Sequence, residues 1–100
     1  MSEKVLIIAG GKKWVKKTGV TGPSSYSSPF TITINALNKV DDIANIYIDG
    51  GYVAEPVVYE TGNVIGVKIY QQTGETGALQ EVADGTDLSA RKISLLAIGW

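Results

Sequence analysis

Four lysines bracket a tryptophan in Lys12-Lys13-Trp14-Val15-Lys16-Lys17, the densest run of charge in the chain. Ammonium groups beside an indole can dock an acidic protein surface, or hold nucleic-acid phosphates while the ring stacks on a base. The same pattern also suits an edge strand, where lysines discourage unwanted pairing and the tryptophan caps the core. Tyr26 stands alone as the aromatic of the polar run from Thr18 to Pro29 and offers a further contact. Lys12, Lys13, Trp14, Lys16, Lys17 and Tyr26 are therefore the candidate partner-binding residues. A net charge of −1 favours a protein partner, because nucleic-acid domains are usually strongly basic.

Other chemistry is thinly represented. The chain has no cysteine and no histidine, which removes thiolate nucleophiles, disulfides, histidine bases and most transition-metal sites. Asp41-Asp42, Asp84 and Asp87 are oxygen donors of the kind calcium takes, but their spacing matches no EF-hand loop. Asp84-Gly85-Thr86-Asp87 also reads as a turn closed by its own side chains. Glu55 and Glu60 could form a carboxylate pair for glycoside hydrolysis, as could many pairs among ten acids. Gly19-Val20-Thr21-Gly22 lacks the lysine and the strand-to-helix setting of a phosphate loop. No catalytic residue, metal or cofactor is expected, and the protein is read as non-enzymatic. Trp14, Tyr47, Tyr52, Tyr59 and Tyr70 allow an alternative, a carbohydrate-binding or adhesin module; cross-strand packing is the more common role of such tyrosines.

The elements that would carry these residues are short strands. Val, Ile and Thr are abundant and twelve glycines punctuate the chain, the composition of strands joined by tight turns. Lys92-Ile93-Ser94-Leu95-Leu96-Ala97-Ile98-Gly99-Trp100 is apolar in both phases of an extended chain, so it reads as a central strand covered on both faces. Val5 to Ala9 reads as a second strand apolar on both faces, folded by Gly10-Gly11 onto Lys12–Lys17, which reads as an edge. Phe30 to Ala36 alternates, with Phe30, Ile32 and Ile34 inward. Leu37 to Asp42 reads as a crossing loop, with one helical turn as the alternative. Ile43 to Asp49 follows with Ala44, Ile46 and Ile48 inward, and Asp49-Gly50-Gly51 signals a hairpin into Tyr52–Tyr59. Pro56 marks that strand as an edge or bulged. Val64 to Gln71 places Ile65, Val67 and Ile69 inward; Thr73–Gly77 is a loop, and Ala78 to Val82 a short strand.

About eight short strands in 100 residues predict one all-β domain spanning 1–100, a single antiparallel β-sandwich of immunoglobulin-like or jelly-roll type. A small β-barrel is the alternative, and residues 18–29 are expected to form a flexible loop or arm. Charge is lopsided: residues 1–40 carry +5 and residues 41–100 carry −6. Such halves attract each other within one fold or bring copies together. The opening Met1–Ala9 lacks the positive flank and apolar length of a secretory signal, and no run is long enough to span a bilayer. Synthesis in the cytoplasm without a membrane partner is expected.

Phe30-Thr31-Ile32-Thr33-Ile34-Asn35-Ala36-Leu37-Asn38-Lys39-Val40, together with Ile93-Ser94-Leu95-Leu96-Ala97-Ile98-Gly99-Trp100, resembles small β-sandwich accessory proteins of tailed viruses of bacteria and archaea. In those proteins an alternating strand runs into a Gly-Leu or Ala-Leu turn, and the chain stops on an Ala-Ile-Gly-aromatic strand. The resemblance covers residues from Phe30 onward; the lysine-rich hairpin lies outside it. It implies a structural virion protein, such as capsid decoration, cement or a tail component, that binds a viral capsid or tail protein in multiple copies as a homo-oligomer. It implies no catalytic residues.

Overall fold

The alternation and the turns resolve into eight strands in the computed structural model, which describes residues 2–73 and 78–100. They are β1 (Ser2–Ala9), β2 (Lys12–Thr21), β3 (Phe30–Thr33), β4 (Val40–Ile48), β5 (Tyr52–Val58), β6 (Val64–Thr73), β7 (Ala78–Glu81) and β8 (Lys92–Gly99). The described residues contain no helix, so the crossing loop before Val40 stands and the helical turn does not. The loop read at Thr73–Gly77 lies outside the described residues except for Thr73, the last residue of β6.

Two antiparallel sheets pack face to face. One runs β1-β2-β8-β4; the other runs β3-β6-β5, with β7 also paired to β6. No pairing joins the sheets among the described residues, so the fold is a sandwich and not the closed barrel. β3 pairs with Val64–Val67 and β7 with Tyr70–Thr73, so the two short strands lie end to end along one side of β6. The second sheet is thus three strands wide against four in the first.

Periodicity places the core rows. Ile65, Val67 and Ile69 of β6 face Ile93, Leu95 and Ala97 of β8, and all six are buried. β8 is central, flanked by β2 and β4. Its other phase, Leu96 and Ile98, is only half-buried and no element covers it among the described residues, which corrects the expectation of cover on both faces.

Four further readings are corrected. β1 is an edge and not a buried strand: Val5, Leu6 and Ile8 are 42, 45 and 69% exposed. Its apolarity suggested burial, but burial depends on what lies opposite, and the narrower second sheet does not reach beneath it. β2 is interior, paired with β1 on one side and β8 on the other, so its lysines do not guard an edge. Asp49-Gly50-Gly51 is a turn, with φ of 78° and 83° at its two glycines, but it carries the chain from one sheet to the other instead of closing a hairpin. Two bulges in β4 shift its phase: Ile43, Ile46 and Ile48 oppose Ala97, Leu95 and Ile93, and Ala44 is exposed.

Glycine is required at three positions, one by close approach and two by backbone conformation. Gly99 lies against the start of β4, where an added Cβ would sit 1.9 Å from the Lys39 carbonyl oxygen. Gly10 and Gly11 supply the positive φ angles, 60° and 82°, of the two-residue β1–β2 turn.

Candidate functional site

Extended geometry splits the lysine cluster between the two faces of β2. Lys13, Val15 and Lys17 face the second sheet; Lys12, Trp14 and Lys16 face outward. On the inner side, Lys13 donates from Nζ to the Ala36 carbonyl oxygen at 3.3 Å. Lys17 is buried, with 3% of its side chain exposed. Its ammonium donates to Glu3 Oε2 at 2.8 Å and to the Thr33 carbonyl oxygen at 2.5 Å. Glu3 in turn accepts from the backbone amides of Asn35 at 3.0 Å and Ala36 at 2.8 Å. Burial pushes the Glu3 carboxyl up, but the Lys17 hydrogen bond, the two amides and the Lys17 charge outweigh it and hold Glu3 below the usual range.

This pair has a structural task. Backbone groups of a strand point alternately to its two sides. The Ile34 amide reaches across to the Asn63 carbonyl, so in this alternation the Thr33 carbonyl and the Asn35 amide face away from β6. Lys17 and Glu3 satisfy them from β2 and β1, doing for the free edge of β3 what a neighbouring strand would do. Neither residue is available to a partner.

At the far end of β2, Lys12 contacts Asp41 Oδ2 at 3.1 Å and lies 5.3 Å from the centre of the Trp100 ring. Lys39 contacts the other oxygen of Asp41 at 2.9 Å. Hydrogen bonds from Lys39 and Lys12 lower the Asp41 pKa. Lys12 is therefore paired within the chain, sharing the Asp41 carboxylate with Lys39. Lys16 is exposed on the outer face opposite Lys4, also exposed, and neither forms an ion pair among the described residues.

Tyr26 is not on an arm. It is 1% exposed and its ring meets Phe30 edge-on at 6.3 Å. Its hydroxyl donates to Glu81 Oε2 at 2.5 Å and accepts the Ile69 amide at 3.0 Å, filling the gap on β6 between β3 and β7. Burial raises the Tyr26 pKa, and the Glu81 carboxylate adds to the rise. The segment read as a flexible arm contributes Thr18–Thr21 to β2 and is then held to the 82–91 loop by four backbone bonds: Gly22 to Arg91, Tyr26 to Thr86, Gly85 to Tyr26 and Leu88 to Pro23.

The surface that remains open is the outer face of the first sheet. Register aligns Trp14 with Ile98, Lys16 with Leu96, Asn45 with Leu96 and Tyr47 with Ser94. Leu6, Tyr47 and Leu96 border a shallow depression of about 310 Å³ with Lys16, Asn45 and Ser94. Tyr47 is 62% exposed and Trp100 42%. Sequence reasoning found Trp14, Lys16 and Tyr47 but missed Leu6, Leu96 and Ile98 as surface; the second apolar phase of Lys92–Trp100 was the available signal for the last two.

The remaining candidates do not converge. Tyr52 packs partly buried against the core, and the Tyr59 hydroxyl lies over Gly66, so neither joins Tyr47 in one platform. Asp87 accepts from the amide and hydroxyl of Ser89, as its turn reading predicts. Among the described residues no three of the acids group as metal ligands. No protein-family model matches the chain, and neither does any curated protein or solved structure.

Proposed function

We propose that the protein is a non-enzymatic structural subunit that binds a larger protein lattice in multiple copies, and that the lattice is the capsid or tail of a virion. The observation that carries the reading is the outer face of the first sheet, where Leu6, Trp14, Leu96 and Ile98 form an apolar surface that no element covers among the described residues. Contiguous apolar surface of this kind marks interaction sites on small proteins. Lys4 and Lys16 stand opposite each other beside it, and like charges so placed repel. A carboxylate from the partner would relieve that repulsion. The occupant is accordingly an apolar protein surface with an acidic rim. The virion setting comes from the resemblance of Phe30–Val40 and Ile93–Trp100 to accessory proteins of tailed viruses.

Cosedimentation with capsid particles and with tail particles of a tailed virus tests the reading. The wild type is expected to pellet with one of them, more weakly at high salt. Leu96→Asp and Lys16→Glu should remain folded and stay in the supernatant. A wild type that pellets with neither particle refutes the proposal. Strong binding on a glycan array, lost in Tyr47→Ala, would replace it with the carbohydrate-binding alternative.

A further inference from the structure

Sheet edges expose unpaired backbone groups, and folded proteins guard them. Three of the four edges of this sandwich are guarded. β4 is broken by two bulges and carries Asp41 and Asp42 at the first. β5 contains Pro56, which has no amide to donate, next to Glu55. β3 and β7 are four residues each, and the outward groups at the end of β3 are taken by Lys17 and Glu3. β1 is different. It runs for eight residues with one bulge, at Leu6, and no proline. Its two charges do not protect it equally, because Glu3 is turned inward onto Lys17 and only Lys4 is left outside.

β1 also overhangs the second sheet. Val5 opposes Val15 and Ile8 opposes Lys13 on the inner face, yet both are exposed, while Leu6 is exposed on the outer side. An apolar strand open along its edge and on both faces is a surface awaiting a strand. The Glu3 clamp onto Asn35 and Ala36 holds it in place, so little ordering entropy is lost when another strand arrives.

We infer that β1 is the contact between copies of this chain, pairing antiparallel with β1 of a second copy about a two-fold axis near Leu6. Such pairing merges two four-stranded sheets into one of eight strands. About that axis Leu6 meets Leu6 and each Lys4 meets Ile8 of the other copy, so no like charges stand directly opposite each other. The two Lys4 side chains would stand four residues apart, about 14 Å along the strand at ~3.4 Å per residue and beyond the ~8 Å screening length of physiological salt. Closure by a two-fold also leaves no further free β1, so association stops at the dimer. The inference deepens the multi-copy reading by naming the contact between copies, and it stands or falls apart from lattice binding.

Sedimentation equilibrium across a concentration series, without any particle, is the test. The wild type is expected to show a reversible mass of two chains. Ile8→Lys and Leu6→Lys, both at exposed positions, should keep the circular-dichroism spectrum and melting curve of a folded sandwich and weaken the dimer at least about tenfold, a difference equivalent to ~1.4 kcal/mol. Because the chain has no cysteine, single-cysteine variants report geometry directly. Leu6→Cys should oxidise to a covalent dimer much faster than Val53→Cys, an equally exposed position on the proline-bearing edge. A wild type that stays monomeric at every concentration overturns the inference. So does a dimer unaffected by Ile8→Lys and Leu6→Lys, or equal crosslinking at both cysteines. Loss of dimer in Ile8→Lys, on the inner face away from the docking surface, with particle binding retained would support the β1 contact on its own.

Discussion

Replacing Lys17 by methionine removes one ammonium and leaves its aliphatic stem in place. The Glu3 carboxylate would keep its amides from Asn35 and Ala36 but lose its counter-charge, and the Thr33 carbonyl would lose its donor. Breaking a buried ion pair from one side costs about 3–5 kcal/mol, chiefly for the charge left behind. Glu3 is 14% exposed and so partly hydrated, which places Lys17→Met near the lower bound, ~3 kcal/mol. Urea unfolding followed by tryptophan fluorescence reads this directly. With a slope of ~1.5 kcal/mol/M for a domain of this size, the midpoint should fall by about 2 M. The partners act as a unit, so Glu3→Gln combined with Lys17→Met should cost less than the sum of the singles by about 2 kcal/mol. Acid supplies an internal control. The Glu3 pKa is lowered in the folded state, so its contribution is complete above the unfolded value near 4.5 and is lost as pH falls through the lower folded value. The gap between wild type and Lys17→Met should therefore close below pH 4.5. A midpoint shift under about 0.5 M, or strict additivity of the two substitutions, would refute the reasoning.

Three other outcomes follow from the same geometry. Deleting Leu96–Trp100 removes half of a strand paired on both sides, and calorimetry should find no cooperative transition. Tyr26→Phe keeps the ring but leaves the buried Ile69 amide without its acceptor, a loss of about 1–3 kcal/mol; the melting temperature should drop and the Ile69 amide should exchange faster by NMR. Gly99→Ala drives a methyl into the Lys39 carbonyl, and thermal unfolding should show a destabilisation of at least about 1–3 kcal/mol despite the small change in size.

The candidate site was less legible than the fold. Lys16 and Trp14 do face solvent or the outer sheet surface, as a docking reading requires. Lys17 and Tyr26 look exposed by residue type and by their polar neighbours, yet both are core. Their burial rests on partners far away in the chain: Glu3 and Thr33 for the lysine, Ile69 and Glu81 for the tyrosine. No local pattern encodes such a partner. The exposure of Val5 and Ile8 was hidden for the converse reason, since an apolar strand reads as buried whether or not a second sheet lies beneath it.

What the chain's own residues determined is local. Alternation in Phe30–Ile34 and Val64–Gln71 set which side chains face inward, and Gly10-Gly11 set a turn, because side-chain direction and φ depend only on neighbouring residues. Tertiary structure decided the rest: which strands are edges, where β4 slips its phase through two bulges, and that Asp49-Gly50-Gly51 crosses between sheets. Those outcomes depend on pairing between strands distant in sequence, as when Lys92–Gly99 inserts between β2 and β4. Insertion there buries one apolar phase of β8 against the second sheet. The other phase stays uncovered because the described residues supply no third layer.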